Sequence, residues 1–264
     1  MRAVLWLSLI SAVGAPPAPG QCDSWAKSGE CVSNPGFMWT ECVAACKGLG
    51  LKEPFAGTDE QAQAGLPPSS RAQILELSFA QITEYAPLRI LLRPDLAPKT
   101  VEAIVRRVGS GAMAVFYRNE AVPDAPPGQC GDILCGPYSL IQGRLDALLD
   151  TPAEATPLVR RGFVARIQNG KDFFVALADH AEWGHSFTVW GEMRDDAAGM
   201  ATLEAIAKLP YHEQQAAGHS TIMRLLDAEL EAHAAVVVGR NPGREGRRRA
   251  GGSTSTEHVE EMEL

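Results

Sequence analysis

The sequence predicts a mainly β domain with helices, a closed or nearly closed barrel plugged by helical segments, preceded by a small disulfide-stapled module. Short apolar runs rich in Ile, Val, Leu and Phe recur between Ile74 and Trp190 with Gly and Pro in the gaps, the pattern of many short strands. Only a few stretches carry helical spacing. Four of the 6 cysteines crowd between Cys22 and Cys46, where so short a segment needs covalent help to hold a fold. The 264 residues carry 24 Lys+Arg against 32 Asp+Glu, a net charge of -8, with 45% hydrophobic and 21% charged residues. That describes an ordinary globular chain of one or two domains. The acidic balance excludes a general nucleic-acid binder, which needs a basic face for phosphates.

Arg2 precedes an apolar run from Ala3 to Val13, followed by Gly14, Ala15 and the Pro-rich Pro16 to Gly20. This reads as a secretory signal peptide over residues 1–20, cleaved between Ala15 and Gly20. An uncleaved anchor is the competing reading. No other stretch could span a membrane, so no membrane span remains after cleavage. The expected address is the secretory pathway, either the ER lumen or the extracellular space, where disulfides persist. Residues 21–48 form the cysteine module. Residues 49–70 read as a linker, because Glu53 to Ser70 is rich in Ala, Gly, Gln, Pro and Ser. The main domain is expected over residues 71–237. The tail, 238–264, has no apolar periodicity and mixes an Arg cluster with later glutamates, which predicts disorder.

Within the main domain, Ile74–Phe79 and Leu88–Leu92 predict a hairpin. Pro98 suits a helix start, and Val101, Ile104, Val105 and Val108 follow at helical spacing. Met113–Tyr117, Phe163–Ile167, Phe173–Leu177 and Phe187–Trp190 read as strands. Met200–Leu209 predicts a second helix. Thr221–His233 predicts a third, from Ile222, Leu225, Leu226 and Leu230.

Two resemblances sharpen this reading. The run Trp25-Ala26, Gly29-Glu30-Cys31, Asn34-Pro35, Phe37-Met38, Cys42 and Cys46 resembles the ShKT family. That family has six cysteines; the first and sixth are missing here. Four cysteines allow three pairings, and the resemblance implies Cys22–Cys42 and Cys31–Cys46. It also implies a structural or docking appendage rather than a channel blocker. The run Leu88 to Glu102, with Arg93-Pro94-Asp95-Leu96-Ala97-Pro98-Lys99-Thr100-Val101 at its centre, resembles the start of a cyclophilin. Phe116-Tyr117-Arg118, Ile141-Gln142-Gly143, Asp172-Phe173-Phe174-Val175, Trp183, Thr188-Val189-Trp190-Gly191 and Gly199-Met200 resemble later motifs in the family's order. The resemblance spans about residues 72–212. It implies a cyclophilin-like closed eight-stranded antiparallel β-barrel capped by two helices.

It also implies peptidyl-prolyl cis-trans isomerase activity on secretory-pathway polypeptides. By this resemblance Arg118 is the catalytic arginine and Gln142 holds the substrate backbone. Leu140 and Phe174 form the floor for the proline ring. Trp183 lies at the rim, where it contacts cyclosporin-like ligands in the family, and Phe187 stands where the family has a rim histidine. The partners are proline-containing polypeptides, with no cofactor and no metal. The departures are Tyr117 for a histidine, Ser139 for a pocket phenylalanine, Arg144-Leu145 after the glutamine, and Asp172 for a glutamine. An insertion holding Pro123, Pro126, Pro127, Cys130 and Cys135 separates Arg118 from Gln142, and Cys130–Cys135 is expected to close a small loop there. These departures keep open an alternative, a cyclophilin-fold module that binds proline-containing segments with little turnover.

Overall fold

The computed structural model describes residues 17–54, 57–66, 71–120, 128–130, 133–135, 138–154, 156–167, 170–193, 197–215 and 222–240. The apolar run Ala3–Val13 and the tail beyond Arg240 lie outside the described residues.

The cysteine module folds as four short helices, α1 Gln21–Lys27, α2 Glu30–Ser33, α3 Pro35–Glu41 and α4 Val43–Gly48. Disulfides join Cys22 to Cys42 and Cys31 to Cys46, the pairing the resemblance implies. Its small core is Ala26, Met38, Trp39 and the buried cysteines, with Trp25 edge-on to Phe37 at 5.5 Å. The indole of Trp39 donates to the Cys31 carbonyl at 3.3 Å, so the ring is both buried and satisfied.

The stretch expected to be a linker carries a helix, α5 Thr58–Ala64, and this helix is docked. Fully buried Arg93 donates to the Gln61 and Ala62 carbonyls at 3.2 and 3.4 Å, a cation on the last-turn carbonyls of a helix. The same guanidinium pairs with Asp95 at 2.7 Å and Glu192 at 3.1 Å. At the other end of α5, Asp59 accepts from the Leu158 N–H at 2.8 Å. The composition is linker-like, but these polar contacts fix the chain.

The elements that follow are β1 Arg71–Phe79, β2 Leu88–Leu92, α6 Pro98–Val108, β3 Met113–Glu120, β4 Gly128–Cys130, β5 Ile133–Cys135, β6 Leu140–Leu145, β7 Phe163–Arg166, β8 Asp172–Ala176, β9 Thr188–Met193, α7 Ala197–Ala207, β10 Tyr211–Gln215 and β11 Ile222–Arg240. The sheet runs β1-β2-β9-β7-β8-β6-β3-β11, and β11 pairs back onto β1. The eight strands therefore close into an antiparallel barrel, which removes sheet edges. Strand β10 adds to the first part of β11 outside this ring.

Of the segment Thr221–His233, expected to be helical, Thr221 lies outside the described residues and Ile222–His233 is instead part of the 19-residue strand β11, which serves β10, β3 and β1 in turn. Leu226, Leu230, Ala232 and Ala234 face inward while Asp227, Glu229, Glu231 and His233 are exposed. Leucines four apart satisfy a helix and a strand equally, and the alanines hide the two-residue period.

Phe116, Phe173 and Trp190 meet edge-on inside the barrel, at 5.4 and 5.8 Å. Helix α6 closes one side with Val101, Ile104 and Val108, and α7 adds Leu203 and Ile206. The first N–H groups of α6, Lys99 and Thr100, are met by the Glu154 carboxylate at 2.9 and 2.8 Å. The Asn119 amide donates to the last carbonyls of α7, Ile206 and Ala207, at 3.3 and 3.1 Å. Strand β3 is thus tied to the helix that caps it. Among the described residues no helix is long and apolar enough to cross a membrane.

Candidate functional site

Strand register assembles the site. Arg118 on β3 stands opposite Gln142 on β6, and Gln142 opposite Phe174 on β8. Directly paired residues share a face, so guanidinium, amide and phenyl ring form a row across three strands on the outer wall. Phe174 follows inward-facing Phe173, and the alternation of a strand sends the two rings to opposite sides.

A β-bulge complements this row. The register of β3 with β6 steps from Phe116↔Gly143 to Arg118↔Gln142, leaving Tyr117 as the extra residue. A bulge re-aims the side chains beside it, and here both Tyr117 and Arg118 reach Gln142. Arg118 Nη1 donates to Gln142 Oε1 at 3.1 Å. Gln142 Nε2 donates to the Tyr117 oxygen. The Tyr117 hydroxyl, its oxygen occupied, donates to Asp172 Oδ1 at 2.9 Å. At the other end, Arg118 Nε donates to Glu120 Oε1 at 2.9 Å, an oxygen that also accepts from the Arg224 N–H at 3.1 Å. Five side chains form one chain of hydrogen bonds with a carboxylate at each end.

The electrostatics follow. Arg118 is 7% exposed and Glu120 1%, so the guanidinium is buried as an ion pair. Arg118 Nη2 and Glu120 Oε2 are buried without hydrogen-bond partners. Burial, reinforced by the Asp172 carboxylate, raises the Tyr117 phenol above its usual 10.0, so it stays a neutral donor.

Beside the polar row lies an aromatic wall. Trp183 and Phe187 meet Phe174 edge-on at 5.4 and 5.1 Å and each other at 5.4 Å. Leu140 is buried in the same cluster. His180 stacks on Trp183 at 3.6 Å with its Nδ1 2.8 Å from Glu182, and His185 Nδ1 meets the Thr156 carbonyl. These histidines brace a loop. The Tyr138 ring joins the two halves, lying 5.4 Å from Arg118 Cζ and 6.5 Å from Trp183.

The structure brings all the expected site residues, Arg118, Gln142, Leu140, Phe174, Trp183 and Phe187, onto one outer wall. Sequence reasoning missed Glu120, Tyr138 and Asp172 as partners of that site. Glu120 was within reach, since residues two apart on a strand share a face. Cys130 and Cys135 end the strands of the β4–β5 hairpin, and their side chains lie outside the described residues. The register sets Cys130 opposite Ile133 and Cys135 opposite Gly128, which makes the two cysteines diagonal neighbours.

No protein-family model matches the chain, and no curated protein does. Among solved structures, a cyclophilin type peptidyl-prolyl cis-trans isomerase of Cryptosporidium parvum, crystallised in the presence of the dipeptide Ala-Pro, is similar at 16% identity. The match covers 64% of this chain and 99% of that one, with a TM-score of 0.41. A structure described as the same isomerase, with no dipeptide named, is similar at 16% identity over 65% and 99%, with a TM-score of 0.39.

Proposed function

We propose that the chain is a cyclophilin-type peptidyl-prolyl cis-trans isomerase of the secretory pathway. The row Arg118–Gln142–Phe174 carries this reading: a guanidinium and an amide beside an aromatic face suited to a proline ring. Rotation about an X–Pro bond meets a barrier of about 18–20 kcal/mol because it breaks amide resonance. As resonance is lost the prolyl nitrogen gains a lone pair. A donor aimed at that nitrogen binds the twisted state better than either planar isomer, which is catalysis without covalent chemistry. Arg118 is the donor in this scheme. Gln142 orients the segment, Phe174 and Leu140 receive the ring, and Trp183 and Phe187 form the rim, where cyclosporin-like ligands are also expected. The apolar run Ala3–Val13 and the disulfides Cys22–Cys42 and Cys31–Cys46 support an oxidising compartment. The ShKT-like module is an appendage of the enzyme in this reading.

One observation favours the second reading, a binding module with little turnover. Glu120 balances the charge of Arg118, and Gln142 is already bonded at both ends of its amide. A protease-coupled isomerisation assay on the full disulfide-intact chain separates the two. Acceleration that disappears in Arg118→Met/Glu120→Gln supports the isomerase. No acceleration with measurable binding of an Ala-Pro peptide supports the binding module. Neither acceleration nor binding overturns both.

A further inference from the structure

We propose that the N-terminal disulfide module is a working part of the site, holding the loop that carries Trp183 and Phe187 and so setting how tightly a proline-containing segment is bound. This rests on the reading of the site given above. The contact that carries it is at Gly36, the second residue of α3. Its backbone is helical rather than left-handed, so glycine is required there for space and not for conformation. A Cβ at this position would lie 2.6 Å from the His185 carbonyl oxygen and 2.8 Å from Ser186 Cα. Both are backbone atoms, which cannot swing aside as a flexible side chain can.

The contact falls between the two rim aromatics. Trp183 is two residues before His185, and Phe187 directly follows Ser186. Both rings lie on Phe174. The loop is fixed on its inner side by these rings and by the Ser186 hydroxyl donating to the Trp183 carbonyl at 2.8 Å. On its outer side it meets α3. That helix is itself held on a small frame, because Cys42 follows its last residue and is bonded to Cys22, while Cys31–Cys46 ties α2 to α4. The stapled module is therefore a stiff backing for a loop whose own helical turn, Ala181–Trp183, is a single short one. Rigid backing of a binding loop raises affinity by lowering the ordering cost on binding, and it acts on substrate capture more than on the chemical step.

The test uses the full disulfide-intact chain and the variants Gly36→Ala and Gly36→Val, with Val32→Ser, a change at an exposed site of α2, as a control. Two readouts are taken: amide hydrogen exchange over residues 183–188, and KM and kcat (or Kd alone, for a non-catalytic protein) with an Ala-Pro tetrapeptide. The expected result is faster exchange at 183–188 and a KM or Kd raised about tenfold, with kcat changed less than about twofold. Val32→Ser leaves both readouts at parental values. Unchanged exchange in both Gly36 variants overturns the proposal, and so does faster exchange with unchanged affinity. If Gly36→Val exchanges freely throughout α1–α4, the module has unfolded and Gly36→Ala decides. A parent chain that binds no peptide overturns the reading of the site and the affinity claim with it. The exchange data then report separately on whether α3 holds the loop.

Discussion

Replacing Arg118 with alanine, the obvious test of a catalytic arginine, is expected to do more than remove a donor. It strands Glu120 at 1% exposure, with the Arg224 N–H left on one oxygen and no partner on the other. Removing one member of a buried ion pair costs about 3–5 kcal/mol, whereas replacing both with groups of similar shape is often neutral. With a urea slope of about 2–3 kcal/mol/M for a domain of this size, Arg118→Ala lowers the unfolding midpoint by about 1–2.5 M. Arg118→Met/Glu120→Gln keeps volume on one side and an acceptor for the Arg224 N–H on the other. Its stability is expected to fall within about 1 kcal/mol of the parent. Urea melts of the three proteins at neutral pH check this. A single variant within about 1 kcal/mol of the parent at neutral pH would show that the pair behaves as a solvated one and refute the reasoning. The consequence for function is direct: lost isomerisation in Arg118→Ala alone mixes unfolding with chemistry, and the double variant separates them.

Tyr117 supplies a test at the alkaline end. Burial and the Asp172 carboxylate raise its phenol above 10.0. Above about pH 10 the unfolded chain therefore sheds a proton the native chain keeps, and this contribution to stability, fully present below that pH, is lost as pH rises. The stability difference between the parent and Tyr117→Phe should be flat from about pH 7 to 9 and shrink above about pH 10; a flat difference up to about pH 11 counts against the assignment. In the module, Cys31 and Cys46 close a loop with a sequence separation of 15. Cys31→Ala/Cys46→Ala should cost the module about 2–4 kcal/mol, read as faster amide exchange in α2 to α4, while exchange in β6 and β8 stays at parental rates. Parental exchange in α2 to α4 would mean the staple is dispensable.

The outcome at each element depends on whether its side chains advertise a period. Strand β2, with its alternating burial, and helix α6, with Pro98 at its start and valines and Ile104 on one stripe, were legible. Strand β6 is buried along almost its whole length and shows no alternation, while Tyr211–Gln215 is exposed throughout and offers no apolar signal. Strand β11 misled because Leu226 and Leu230 fit two periods at once. The site divides the same way. Motif order placed Arg118, Gln142 and Phe174, and the strand register then brought them into one row. Nothing in the sequence marks Tyr117 as a bulge residue, so the branch from Gln142 through Tyr117 to Asp172 could not be read from it. That branch matters for mechanism. Of the three guanidinium nitrogens of Arg118, Nε is taken by Glu120 and Nη1 by Gln142, whose amide is anchored in turn on Tyr117. Only Nη2 is left without a partner, with the Tyr138 ring 5.4 Å from Cζ. Nη2 is itself buried, so a prolyl nitrogen or substrate carbonyl served by it requires the side chains around it to move. Glu120 and Gln142 hold the guanidinium from two sides, and Asp172 holds Tyr117 against Gln142.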